Sequence, residues 1–289
     1  MKNILLFILV ILSSTAICAQ ELNKKETLTT PTPYNSSINL DLSTQEFSSI
    51  NLNTSAQDYS YSAMPKMNFI KINLAGLPIR NYSLQYERVL NKMLSVSLSY
   101  RNMPKGNLPF KSRILNSFDA NDIEGRNIIN NLTISNYAIT PEVRFYLGKK
   151  GYGQGLYLAP FFRNAKYECN NFDVTYKDDN GIDQTLSISG NIKSNTFGLL
   201  FGAQWFLSKY IVLDWWILGP HIGKGKGDLI GLSSQPLSEE AQKSIRETLE
   251  DFDVPFVDKT VTVTKEKAIM NLDGMFGGLR AGLSLGIKF

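Results

Sequence analysis

The chain has 289 residues, 43% of them hydrophobic and 19% charged, with a net charge of +4. So small a positive excess, with no Lys/Arg run, gives no electrostatic footprint for nucleic acid. Beyond the N-terminus no segment reaches about 18 consecutive apolar residues, which leaves no candidate for a membrane-spanning helix.

Residues 1–20 have the layout of a secretory signal. Lys2 gives a charged start, Ile4 to Leu12 is an unbroken apolar run, and small residues lead to cleavage near Ala19 or Gln20. Ile17 is bulky where a lipid-anchoring site wants a small residue, which argues against a lipidated Cys18. Once Cys18 leaves with the signal, Cys169 has no partner for an internal disulfide.

Residues 21–66 are rich in Ser, Thr and Asn and carry Pro31, Pro33 and Pro65. They read as a polar, irregular periplasmic lead with one short candidate strand at Ser48–Asn53. A period of two begins at Met67 and runs to the C-terminus, so 67–289 is the folded domain.

Ile70, Ile72 and Leu74 alternate with Lys71 and Asn73, and Tyr82, Leu84 and Tyr86 with Ser83, Gln85 and Glu87. After a tight turn at Leu90-Asn91-Lys92, Leu94, Val96, Leu98 and Tyr100 oppose Ser95, Ser97 and Ser99. A long polar insertion is expected at 101–132. A fourth strand follows, with Tyr137, Ile139, Val143, Phe145 and Leu147 opposing Ala138, Thr140, Glu142, Arg144 and Tyr146. Pro141 lacks a ladder donor, so a bulge or bend is expected there.

The fifth strand starts near Gly155, and its facing is ambiguous because Leu156, Tyr157, Leu158, Phe161 and Phe162 fill both parities. It ends before a turn at Asp178–Gly181. The sixth puts Phe197, Leu199, Phe201, Ala203 and Trp205 on one face and Gln204 on the other. The seventh puts Ile211, Leu213, Trp215 and Ile217 outside and Asp214 inside. A second long insertion is expected at 219–276, and an eighth strand from Gly277 to Phe289. Within that insertion Ser238 to Phe252 reads as a helix. Ser238 caps it, Glu239 and Glu240 favour its positive end, and Ile245, Leu249 and Phe252 form a stripe suited to a lid on the barrel mouth or to a partner groove. Val257 to Thr264 reads as an extension of a strand.

Short turns near 91, 150 and 208 alternate with connections that are mostly longer. An even strand number with this asymmetry is the rule of outer-membrane barrels, whose lipid and lumen faces alternate along each strand. The expected fold is therefore all-β: an antiparallel transmembrane β-barrel of about eight strands, with long outer loops and one short helix. Its N-terminal lead and the terminal Phe289 would lie in the periplasm. Phe145, Tyr146, Trp205, Phe206, Tyr210 and Phe289 would gather at the inner rim as an aromatic girdle. A soluble antiparallel sandwich explains the alternation alone.

The stretches Lys71–Leu77, Tyr82–Leu90, Pro141–Gly148, Gly155–Phe162 and Asp214–His221 resemble a group of small outer-membrane β-barrel proteins of Bacteroidota, classed as a domain of unknown function. The resemblance covers residues 67–289. It implies a barrel in the outer membrane of a Gram-negative bacterium and carries over no catalytic residue.

The alternation places Lys71, Glu87, Glu142, Arg144, Asp214, Arg280 and Lys288 on the inner face. About eight strands enclose only enough space for side chains. The leading expectation is a mixed-sign network that closes the lumen, because buried charges must be paired or solvated. A narrow ion or solute path is the alternative. His221 is the single histidine, with Ser233, Ser234 and Glu239 near it only in sequence, so no diagnostic triad exists. No catalytic, cofactor-binding or metal residue is assigned, and no cofactor is expected. The Gly-rich stretches at 151–155 and 219–225 miss the phosphate-loop pattern. The sequence points to a non-catalytic monomer that contacts outer-membrane lipid and offers its outer loops to a protein partner. A narrow channel comes next, and a lipid-modifying enzyme further behind.

Overall fold

The computed structural model describes residues 67–119, 122–177, 182–251 and 255–289. The expected signal at 1–20, the expected lead at 21–66 with its candidate strand, the expected turn at Asp178–Gly181 and Phe252 lie outside the described residues.

The chain forms one antiparallel sheet of nine strands. They are β1 (Asn68–Asn73), β2 (Tyr82–Val89), β3 (Leu94–Asn107), β4 (Thr133–Gly151), β5 (Gln154–Lys177), β6 (Asp183–Phe206), β7 (Ile211–Ser233), β8 (Val257–Val263) and β9 (Lys267–Lys288). Helices α1 (Lys111–Asn116) and α2 (Ile123–Asn131) join β3 to β4, and α3 (Glu239–Glu250) follows β7. Eight strands close a ring: β9 pairs with β7 on one side and with β1 on the other, at Ile70↔Ile287 and Ile72↔Leu285. The ninth strand, β8, takes the edge of β9 beyond the reach of β1, from Val257↔Gly274 to Val263↔Ala268.

Local chemistry makes the short turns. Asn91 Oδ1 accepts from Met93 N and Leu94 N at 2.8 and 2.9 Å. Ser208 Oγ accepts from Tyr210 N and Ile211 N at 3.2 and 3.1 Å. Side chains that bond backbone two or three residues on favour tight reversals. Between β4 and β5 the chain passes through positive φ at Gly151 and Gly153, 59° and 84°, where glycine carries no steric penalty.

The alternation sorts side chains in an unusual sense. Ser95, Ser97 and Ser99 point into the ring and are buried, while Val96, Leu98 and Tyr100 point out and are exposed. Each ring strand presents outward apolar residues: Ile72, Leu84, Leu98, Ile139, Leu156, Leu199, Trp215 and Leu285 are all 38–53% exposed. The interior holds the buried ions.

Several expectations need correction. The polar insertions are partly strand: β3 runs to Asn107, β7 to Ser233, and β9 starts at Lys267. There the outward positions carry Lys224, Lys226 and Asp273, so the apolar alternation ends although the ladder continues. The first insertion also holds α1 and α2. Val257–Val263, expected to extend a strand, is a strand of its own paired with β9. Pro141 makes no bulge. Its register with β3 is unbroken at Leu98↔Pro141, and pairing with β5 resumes in step at Glu142↔Phe161. A missing N–H costs a ladder bond, not an added residue. The irregularity falls instead between Trp216 and Gly219, where both neighbouring ladders shift. One extra residue there inverts parity, so Leu218 faces out and His221 faces in. Tyr146 of the expected girdle points inward and is buried, and Phe206 is half-buried against Phe69.

Helix α3 matches the expected cap, with Ser238 Oγ accepting from Ala241 N at 3.1 Å. Its Ala241, Ile245 and Leu249 pack with Leu237 just before the helix and with Val263 of β8 and Ala268 of β9. The helix that enters the ring is α2, which the sequence reading placed in a loop. Ile128, Ile129 and Leu132 are buried with Met103, Ile134, Ala165, Tyr167, Ile192 and Phe276. These partners are inward residues of β3, β4, β5, β6 and β9, so α2 fills the interior at the end of the ring bearing the long connections.

Candidate functional site

The ring interior is layered. Nearest the short turns, six charged side chains converge from five strands. Lys71 of β1 donates to Glu87 of β2, to Gln204 Oε1 of β6 at 2.5 Å and to Asp214 Oδ2 of β7 at 2.7 Å. Arg144 of β4 sits at the centre. Its Nη1 donates to Asp214 Oδ2 at 2.7 Å and Glu87 Oε2 at 3.1 Å, its Nε to Glu142 Oε1 at 2.6 Å, and its Nη2 to Gln85 Oε1 at 3.1 Å. Arg280 of β9 closes the cluster on Glu142 and also donates to Ser99 Oγ at 3.2 Å.

Uncharged groups occupy the remaining lone pairs. Tyr146 Oη donates to Glu87 Oε1 at 2.6 Å, Tyr157 Oη to Asp214 Oδ1 at 2.7 Å and Trp216 Nε1 to Asp214 Oδ2 at 3.1 Å. Gln204 Nε2 donates to the Gly153 carbonyl at 2.8 Å, which ties the cluster to the β4–β5 turn. Small residues in the wall make room for large ones. A Cβ on Gly202 would stand 2.4 Å from the Tyr157 ring, and one on Gly286 would stand 2.6 Å from the Lys71 stem. The guanidinium of Arg144 lies 4.5 Å from the Tyr157 ring centre and that of Arg280 lies 4.1 Å from Trp216, so aromatic faces take part of the cation surface.

The structure therefore joins Lys71, Glu87, Glu142, Arg144, Asp214 and Arg280 into one hydrogen-bonded cluster. Lys288 stands apart at the end of the ring, with Nζ 4.5 Å from the Phe206 ring centre. Three cations meet three carboxylates, so the cluster is neutral as a whole.

Sequence reasoning missed Gln85, Gln204, Tyr146, Tyr157 and Trp216 as members. Parity already put the first three inside, but attention went to formal charge. Tyr157 was hidden by the double-sided apolar pattern of β5.

One layer further in lie Thr140, Arg163 and His221, all buried, beside Arg101. Arg101 and Arg163 both stand close enough to Tyr167 for their charges to act on its hydroxyl. Arg101 follows the inward parity of Ser95, Ser97 and Ser99, and that signal could have placed it. Arg163 fell in the ambiguous strand. His221 meets the edge of Phe161, with ring centres 6.0 Å apart. No described contact joins it to Ser233, Ser234 or Glu239, and Ser233 Oγ instead lies 2.8 Å from Tyr176 Oη. Among the described residues no group of three or more His, Cys, Asp or Glu gathers as a metal site. Cys169 is buried in the apolar layer around α2, and burial pushes its thiol pKa up, as fits a packing residue.

No protein-family model matches the chain, and no curated protein or solved structure is significantly similar to it.

Proposed function

We propose that the chain is an integral outer-membrane β-barrel with a closed lumen, which serves without catalysis as a scaffold for its outer connections or as a stabiliser of the envelope. One observation carries this reading: the sheet is apolar outside and ionic inside. Soluble proteins rarely expose contiguous apolar patches beyond a few hundred Å². Here the exposed apolar residues run round all eight ring strands. Along β7 they extend from Ile211 to Ile222 and give way to Lys224 and Lys226. A tilted strand needs about 9–11 residues to cross a bilayer, close to that run. The exposed pair of Trp205 and Trp215, 6.5 Å between ring centres, suits the interfacial belt.

The export signal at 1–20 supports passage out of the cytoplasm. By the loop rule the short turns face the periplasm and α1, α2, α3 and β8 lie outside. Kinship with the small outer-membrane barrels of Bacteroidota belongs to the same proposal and rests on the strand and turn stretches already named. Lipid is the partner of the outer face, a protein partner would meet the long connections, and the ring is complete as a monomer. The filled interior disfavours a standing channel. Among the described residues His221 makes no hydrogen bond with Ser233, Ser234 or Glu239, so the geometry lends lipid-modifying chemistry no support.

The test is extraction. Washed envelopes treated with carbonate or urea should retain the protein, and the folded form should migrate differently on gels before and after boiling. Release of most of the protein into the soluble fraction would defeat the proposal.

A further inference from the structure

The neutral cluster leaves a second set of buried polar groups unexplained. Arg163 is 5% exposed, and its Nη1 lies 3.5 Å from the Thr140 hydroxyl. Its charge and that of Arg101 also act on the Tyr167 hydroxyl. Both neighbours are hydroxyl groups, and neither is a carboxylate. Its Nε is buried without a hydrogen-bond partner. His221, 8% exposed, also holds a buried Nδ1 with no partner. The charges of Arg101, Arg163 and Arg280 all act on His221. Of these cations Arg280 is committed to Glu142. Among the described residues no carboxylate forms an ion pair with Arg163.

A guanidinium does not shed its proton in a protein, and a buried charge without a counter-charge is strongly unfavourable. The cheapest remedy is an anion from outside the chain. Planar guanidinium forks match oxyanions, and several converging donors suit a group with three acceptor oxygens better than a halide.

We propose that Arg163, Arg101 and His221 form a binding site for one phosphate-type oxyanion, carried either by free phosphate or by a phosphorylated headgroup. Arg163 supplies the charge that makes the site, Arg101 strengthens the field, and His221 adds a neutral donor. The site lies between the neutral ion cluster and the apolar layer around α2. One neighbour is neutral as a whole, with three carboxylates matched by three cations, and the other is apolar.

The test uses the purified mature protein in detergent and equilibrium dialysis at neutral pH in chloride buffer. One arm uses labelled inorganic phosphate and the other glycerol 3-phosphate as the headgroup probe. Wild type should bind one equivalent of at least one probe saturably. A preference of tenfold or more for glycerol 3-phosphate would assign the site to a headgroup, and the converse to the free ion. Arg163→Gln should weaken binding at least tenfold. Lys226→Gln, at an exposed ion pair with Asp273, should leave it unchanged. Saturating ligand should raise the unfolding temperature of wild type and not of Arg163→Gln. Without ligand, Arg163→Gln should unfold no lower than wild type, because it removes an uncompensated charge. Folded wild type that binds neither probe saturably would overturn the proposal. So would equal affinity in folded Arg163→Gln.

Discussion

At the scale of single residues, Arg144 decides whether the interior is tolerable. Its guanidinium contacts Asp214, Glu87 and Glu142, and every one of these side chains is fully buried. A buried ion pair adds little over a well-packed apolar replacement, but removing one partner strands the other. Arg144→Ala leaves three carboxylates facing Lys71 and Arg280 alone. The expected loss is about 3–5 kcal/mol in denaturant-induced unfolding. Lys226→Ala breaks an exposed pair on the outer wall and should cost under about 1 kcal/mol. A loss of the same small size for Arg144→Ala would mean that water, not protein, solvates the cluster. The cluster's charged members were legible in the sequence because a strict period of two fixes the facing of Lys71, Glu87, Glu142, Arg144 and Asp214. Which carboxylate meets which cation was not legible. That depends on the stagger of strands far apart in sequence, as when Lys71 meets Asp214.

At the scale of elements, β3 gives the sharpest test of environment. Leu98 is 52% exposed and stands opposite Pro141 in mid-strand. In water an exposed position of this kind tolerates Arg within about 0.5 kcal/mol. In a bilayer the same change near the midplane costs about 2–4 kcal/mol. Leu98→Arg should therefore destabilise the protein by the larger amount when folding is measured in lipid vesicles. A change within the smaller range would place Leu98 in water. The strand cores of β1 to β4 were readable because one face had to be apolar. The upper parts of β3 to β7 were not, since outward residues such as Asn164, Lys193 and Lys224 no longer alternate with a hydrophobic set. The parity inversion near Ile217 was hidden for another reason. One extra residue leaves the local composition of Trp215-Trp216-Ile217-Leu218 unchanged while turning His221 inward. Helix α2 escaped notice because its apolar stripe is short. Ile128, Ile129 and Leu132 acquire meaning only once Met103, Tyr167 and Phe276 surround them.

At the scale of the whole molecule, the ring interior is filled at two levels, by the ion cluster nearest the short turns and by α2 at the end bearing the long connections. An eight-stranded ring has an interior that side chains can fill, whereas open porins use about 16–18 strands. Planar bilayers containing the mature protein at neutral pH should show no steady conductance. Large, persistent current in every insertion would contradict the filled interior. Arg144→Ala, which removes the central plug side chain, should yield at most brief openings while α2 stays seated.

The central claim is that lipid covers the outside of this ring, and the three tryptophans allow a direct measurement. Trp205 and Trp215 are 39% and 47% exposed on the outer wall, whereas Trp216 is buried inside against Asp214. The protein is reconstituted in phospholipid brominated near the headgroup end of its chains, and tryptophan fluorescence is compared with that in unbrominated lipid. Wild type should lose most of its emission, and the Trp205→Phe/Trp215→Phe variant, which reports Trp216 alone, should lose little. Unquenched wild-type emission, or equal quenching of Trp216, would contradict the claim.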